Sequence, residues 1–392
     1  MRDVYLEHLA AAPVLPEARD AMLPYLGEVF GNPSSVHAWG DRARDALEKA
    51  RGQVAGLINA KPQEITFTSC GTESNNLAVK GLAMAQQKKG KHILVSAIEH
   101  ASVLNAARAL AKSGFEVGLI PVDHYGIADP AELRNLIRPD TVLVSIMLAN
   151  PEVGSIEPIR ELANVAREAG ALFHTDAVAA AGLIPVDVRE LGADSLSLGS
   201  NQFYGPVGVA ALWLREGLKP TAQLDGGVQE SSRRAGTENL PGIVGMGEAA
   251  EIAGRDMQAR TSHLETLRDR LLENLPRGIE HVVLTGHPSR RLPGHASLCV
   301  EFVEGEAMLL FLNARGVGAA SGSSCTSKML KVSHVLLAMG FDHTLAQGSL
   351  VFTLGRQNSI EDVDYLLEVL PPIVKKLRQM SPLWSKFEKG GN

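Results

Sequence analysis

The feature that most constrains this chain is an alternation, repeated through its first half, of short apolar, β-branched segments with helix-like ones. Ile65-Thr-Phe-Thr68, His92-Ile-Leu-Val-Ser96, Glu116-Val-Gly-Leu-Ile-Pro121, Thr141-Val-Leu-Val-Ser-Ile-Met147 and Ala171-Leu-Phe-His-Thr-Asp176 each read as a strand. Between them, residues 77–88, 103–113, 130–137 and 158–169 carry helical patterns, and residues 41–60 form an amphipathic helix ahead of the first strand. Strands of this kind separated by helices predict a parallel sheet covered on both faces. In such sheets ligands sit at the carboxyl ends of the strands, where most of the unusual residues of this chain fall.

After about residue 255 the pattern changes. A long charged helix over 258–275 precedes strands at 281–284 and 296–302, a helix at 305–314, a late strand at 350–354 and a final helix at 360–380. Strands and helices grouped in this way predict a smaller α+β domain. The expected division is a large α/β domain over 15–255 and a small domain built from 1–14 and 256–392. The balance of the chain, 45% hydrophobic and 21% charged over 392 residues with a formal net charge of −6, predicts a globular protein. The mixed, mildly acidic charge speaks against nucleic acid or an anionic membrane as the main partner. No run of about 18 apolar residues and no signal pattern stands out, so the expected compartment is the cytoplasm. Three cysteines at wide spacing, Cys70, Cys299 and Cys325, make neither a disulfide framework nor a paired metal motif.

Several segments carry chemistry. Thr68-Ser-Cys-Gly-Thr-Glu-Ser-Asn-Asn76 joins a strand to a helix start, so Gly71 and Thr72 sit where free N–H groups can grip a phosphate; a simple capped turn reads equally well. Cys70 is either a thiol at a pocket rim or a small buried hydrophobe. His100 ends a strand in Ser96-Ala-Ile-Glu-His100, and Asp176 ends another in His174-Thr-Asp-Ala-Val-Ala179. Each is open to a structural reading, Asp176 as a helix cap and His100 as a satisfied strand-end residue. Gly316-Val-Gly-Ala-Ala-Ser-Gly-Ser-Ser-Cys-Thr-Ser327 is a loop of small residues that carries Cys325, and Ser333-His-Val-Leu336 follows. Arg356 follows the late strand, where an ordinary surface arginine is the simpler reading.

Taken together, these segments resemble the cysteine desulfurases of the NifS/IscS type, which are pyridoxal phosphate (PLP) enzymes of the class V aminotransferase fold. The resemblance runs from Tyr5-Leu-Glu-His8 and Phe30-Gly-Asn-Pro-Ser-Ser-Val-His37 to the last helix. It implies a PLP-transferase fold of type I, a mostly parallel large domain with a smaller α+β domain. It further implies that Gly71, Thr72, His100 and Asp176 hold the cofactor, with Thr237 of Arg234-Ala-Gly-Thr-Glu-Asn239 reaching a neighbour's cofactor phosphate across a homodimer. Arg356 would clamp the substrate carboxylate, Cys325 would carry sulfur, and His100 would stack on the ring and serve catalysis.

The departures cluster in one pocket. Family members have Ser-x-His-Lys where this chain has Gly199-Ser-Asn-Gln202, so Gln202 replaces the lysine that forms the Schiff base, Asn201 a histidine, and Gly199 a phosphate-binding serine. Ala179 replaces a glutamine that bonds the cofactor's phenolic oxygen, and Pro151 replaces an asparagine that contacts cofactor and substrate. An amide has no basic lone pair to attack an aldehyde. The Ser-Asn pair before Gln202 resembles the branch of the family that lacks the lysine. The expectation is a desulfurase-like protein of sulfur transfer or iron–sulfur cluster assembly, in which lysine-dependent catalysis is lost. PLP would be uncoupled from any covalent link or absent. Cys325 would accept sulfur or ligate an iron–sulfur cluster beside a U-type scaffold or another acceptor. The alternatives are a PLP-dependent desulfurase that works without the lysine, with His100 moving the proton, and a catalytically dead dimeric docking partner.

Overall fold

A computed structural model describes residues 2–322 and 332–390. Its main sheet has seven strands, in spatial order Ile65–Thr68, Ala210–Leu214, Ser195–Gly199, Leu172–Asp176, Thr141–Ser145, His92–Ser96 and Glu116–Ile120. The last five are mutually parallel, as the alternating pattern predicts. Ala210–Leu214 runs against both its neighbours. The reason is chain length: residues 200–209 are too few for a crossover, which takes about a dozen residues or more, so the chain must turn back beside the strand it left. Most of these strands are buried along their whole length, whereas Glu116–Ile120 at the edge is partly exposed. Helices on both faces supply that burial.

Two differences from the sequence reading bear on the site. The helix expected from residue 77 begins at Gly71, so the predicted phosphate turn is itself the first turns of a helix, Gly71–Ala85. Polar residues of low helix propensity form this start because their side chains satisfy it: Glu73 accepts the Ser69 N–H at 2.7 Å, and Ser74 and Thr68 share a hydroxyl hydrogen bond. The helix Leu240–Arg255 and the strand Ala210–Leu214 lie in stretches that the periodicity leaves unassigned. The helix packs on Ala38–Leu57 through glycine and alanine, with no strong polar face to mark it.

The second sheet is antiparallel, with Ser349–Thr353, His295–Val300 and Val282–Leu284 side by side. The helices Met257–Gly278, Gly305–Asn313 and Ile360–Met380 pack on it around a core that includes Leu267, Leu298, Phe352 and Leu366. The N-terminal segment is stitched to this region. Val4–Tyr5 pairs with Val317–Gly318, Leu6 accepts the Thr353 N–H and Thr353 accepts the His8 N–H. Among the described residues no helix is long and apolar enough to cross a membrane.

Candidate functional site

The carboxyl ends of the parallel strands, the start of helix Gly71–Ala85 and the N-terminal segment enclose a cavity of about 450 Å³. Gly71, Thr72, His100, Pro151, Asp176, Ala179, Gly199, Asn201 and Gln202 all line it. The chain thus brings together most of the residues singled out from its sequence. Three stand apart. Arg356 is exposed and outside the lining, and its backbone N–H donates to the Tyr204 hydroxyl. Thr237 lines a neighbouring hollow of about 100 Å³ that shares Ser69 and Gly208 with the main cavity. Cys325 lies outside the described residues. Among the described residues, no three His, Cys, Asp or Glu side chains gather closely enough to hold a metal ion.

The cavity floor is a connected polar network. Asp176 ends its strand only 5% exposed; its Oδ1 accepts the Val178 N–H at 2.9 Å and its Oδ2 accepts Nδ2 of Asn75 at 2.6 Å. The same Asn75 nitrogen donates to Ser102 Oγ at 2.8 Å, and Ser102 Oγ lies 2.7 Å from His100 Nδ1. With Asn75 as donor, the Ser102 hydroxyl points its proton at His100, which leaves Nε2 as the imidazole N–H. The Ser102 backbone N–H also donates to Nδ1, so His100 caps helix Ala101–Lys112 while lining the cavity. Both readings of His100 therefore hold at once. Asp176 likewise fixes the following turn and faces the pocket.

Burial pushes the Asp176 carboxyl above its ordinary range, against the pull of its two hydrogen-bond donors. Beneath it Glu99 is fully buried, with Oε1 accepting the Met147 N–H and Oε2 unpartnered. Burial and then the Asp176 charge push Glu99 well above the usual carboxylate value. His174, one strand position before Thr175, sits between the Ser145 and Ser197 hydroxyls, and burial lowers it to about 3. It is a neutral structural histidine behind the floor.

The opposite wall is built differently. Gln202 donates Nε2 to the Leu9 carbonyl at 3.3 Å, and Asn201 donates Nδ2 to the Ala10 carbonyl at 3.1 Å. Both side chains thereby fasten the N-terminal segment over the cavity. Gln202 Oε1 is buried without a partner. It lies 2.5 Å from where a Cβ on residue 199 would be, so Gly199 is the residue that leaves room for this amide. The Asn75–Ser102 link was missed in the sequence; its signal was the i, i+3 spacing of Thr72 and Asn75 on one helix face.

Matched against PLP, the cavity divides. On the ring side, a buried acid without a cation, an imidazole at the lining and a helix N-terminus with Thr72 suit a protonated heteroaromatic ring bearing a phosphate. On the anchoring side no amine lies among the described lining residues, and residues 199 and 179 carry no hydrogen-bonding side-chain atom. The residues present fit the ring of such a molecule and do not fit its covalent attachment.

The fold is that of the aminotransferase class-V family, whose model matches residues 4–366, and the chain belongs to that family. Within it the relatives are cysteine desulfurases. The chain is 50% identical over 383 residues to "Cysteine desulfurase IscS" of Methanosarcina thermophila, covering 98% of this chain and 95% of the relative. It is 49% identical over 382 residues to "Cysteine desulfurase IscS 1" of Archaeoglobus fulgidus, covering 97% of this chain and 100% of the relative. Among solved structures, a "NIFS-like protein" superposes with a TM-score of 0.90 at 34% identity, over 96% of this chain and 100% of the other. The type I PLP-transferase fold implied by the sequence is the fold found.

Proposed function

We propose that this chain is a sulfur-transfer protein of iron–sulfur cluster assembly that carries out no lysine-dependent PLP catalysis. The relatives support the first half, since their names describe cysteine desulfurases. One observation supports the second: at the lysine position stands an amide whose nitrogen is spent on the Leu9 carbonyl. Cys325 is the proposed sulfur acceptor or cluster ligand, delivered to a U-type scaffold or another acceptor. The working form is a cytoplasmic homodimer, in which Thr237 completes the partner's site.

A second reading rests on the intact floor. PLP, when bound, supplies an electron sink. Asp176 would hold its ring nitrogen, His100 would cover the ring, and Thr72 with the helix start would hold the phosphate. In that reading the His100 imidazole, oriented by Ser102, is the group on the cavity lining able to move a proton.

The test is the absorbance spectrum of the purified protein with and without added PLP and cysteine, with sulfide release followed in parallel. Neither a PLP band nor sulfide is expected. A PLP band together with sulfide production that disappears in Cys325→Ala would establish a working desulfurase and overturn the proposal.

A further inference from the structure

At its floor the cavity presents unpaired acceptors. Glu7 and Asp176 line it, and among the described residues no lysine or arginine does. Three buried atoms on lining residues have no partner: Asn75 Oδ1, Ser200 Oγ and Gln202 Oε1. The case of Asn75 is unambiguous. It is 1% exposed, and its nitrogen is committed to Asp176 and Ser102, so the amide cannot turn round and its oxygen is left as a bare acceptor. Unsatisfied buried acceptors are costly, and a ligand that brings N–H donors, with a positive charge for Asp176, removes that cost. A primary ammonium group, with three donors, has this chemistry.

A thiol stands at the other end of the same lining. Cys70 is exposed, receives a hydrogen bond from the Ser69 hydroxyl, and precedes the first residue of the 15-residue helix that carries Asn75. Five helical positions separate the two residues, about 7 Å along the axis.

We propose that the cavity binds a free α-amino acid bearing a sulfane sulfur, of the cysteine persulfide class, with its ammonium group on Asp176 and Asn75 and its terminal sulfur delivered to Cys70. This rests on the reading of the chain as a sulfur-transfer protein, and it supplies the donor that such a protein needs once cysteine can no longer be cleaved through a lysine. In the transfer, the Cys70 thiolate attacks the terminal sulfur. The donor's S–S bond breaks as a new one forms on Cys70. Cysteine leaves as a thiolate and takes up the proton that Cys70 gave up. The sulfane sulfur keeps its oxidation level, so no external oxidant or reductant enters.

The test uses the full-length chain carrying Cys325→Ser, treated with cysteine persulfide radiolabelled at its terminal sulfur, then alkylated and mapped by peptide mass spectrometry. Label is expected on Cys70 and not on Cys299, which is buried. Replacing the donor with the persulfide of mercaptopropionate, which lacks the ammonium group, should slow labelling of Cys70 about tenfold or more. Asp176→Asn should slow it comparably, and unreactive S-methylcysteine should compete. Equal labelling from both donors, or no label on Cys70, overturns the proposal. The donor pair decides the matter even if the Asp176 variant fails to fold. Sulfide release from cysteine and PLP by the unmodified protein, run alongside, tests the loss of lysine-dependent catalysis by itself, so the two failures are told apart.

Discussion

The two sides of one cavity have been treated in opposite ways. The floor, Asp176–Asn75–Ser102–His100, is a hydrogen-bonded chain whose side chains bind one another, set on one strand end and two helix starts. The opposite wall, residues 199–202, spends its side chains instead on the N-terminal segment. The difference lies in what else each group supports. His100 and Asp176 also fasten the turns that follow them, so losing them would damage the scaffold as well as the site. A lysine at 202 would have no such second duty, and an amide there can be accommodated if residue 199 gives up its side chain.

The largest effect that could break this contrast is covalent. Gln202→Lys, incubated with PLP and reduced with borohydride, should give a trapped adduct at residue 202 that the unmodified protein never gives; peptide mass spectrometry reads it. If the variant traps nothing, the floor no longer accepts the ring, and the contrast between the two walls collapses.

Next comes the pH response of the floor. Glu99 is raised by burial, so the folded state keeps its proton while the unfolded chain loses it above about pH 4.5. The Glu99 contribution therefore weakens the fold as pH rises from there toward the folded value, by about 1.4 kcal/mol per pH unit. Glu99→Gln removes that slope and keeps an acceptor for the Met147 N–H. Melting temperatures of the two proteins should diverge in favour of the variant as the pH rises above about 4.5. Parallel curves would mean that Glu99 is not held protonated.

A somewhat smaller effect concerns the wall. Gly199→Ser should destabilise the protein by about 1–3 kcal/mol through its clash with Gln202 Oε1, and the penalty should largely vanish when Gln202→Ala is added. A double-mutant cycle by chemical denaturation measures the coupling; purely additive effects would separate the two substitutions. The smallest is Asn201→Ala, which gives up one partly exposed hydrogen bond to Ala10 and should cost about 0.5–1 kcal/mol. Its diagnostic readout is faster amide exchange over residues 7–11 rather than global stability. Unchanged exchange there would remove Asn201 as a fastener of the N-terminus.

Much of this was legible in the chain itself. The alternation through residue 176 specifies a covered parallel sheet because side chains buried on both faces must be apolar at every strand position, a local property that periodicity displays. The motif residues at the strand ends were legible too, since a residue's place in such a sheet follows from where its strand stops. Cys70 was legible only as a choice between rim thiol and buried hydrophobe, and its exposure decides between them. The strand Ala210–Leu214 was not legible, because its direction depends on the length of the turn before it. The start of helix Gly71–Ala85 was hidden as well, because polar residues form it only once Glu73 and Thr68 cap it.

By itself, then, the sequence determined the sheet, the family and the absence of an amine at position 202, all of which are matters of residue type and spacing. Only the tertiary structure decided that Gln202 and Gly199 are one packing unit, that Asn75 ties Asp176 to His100, and that Arg356 stands outside the cavity. The last two depend on which atoms meet across long stretches of chain, as Asn75 and Asp176 do at a separation of 101 positions. No local pattern encodes such a meeting.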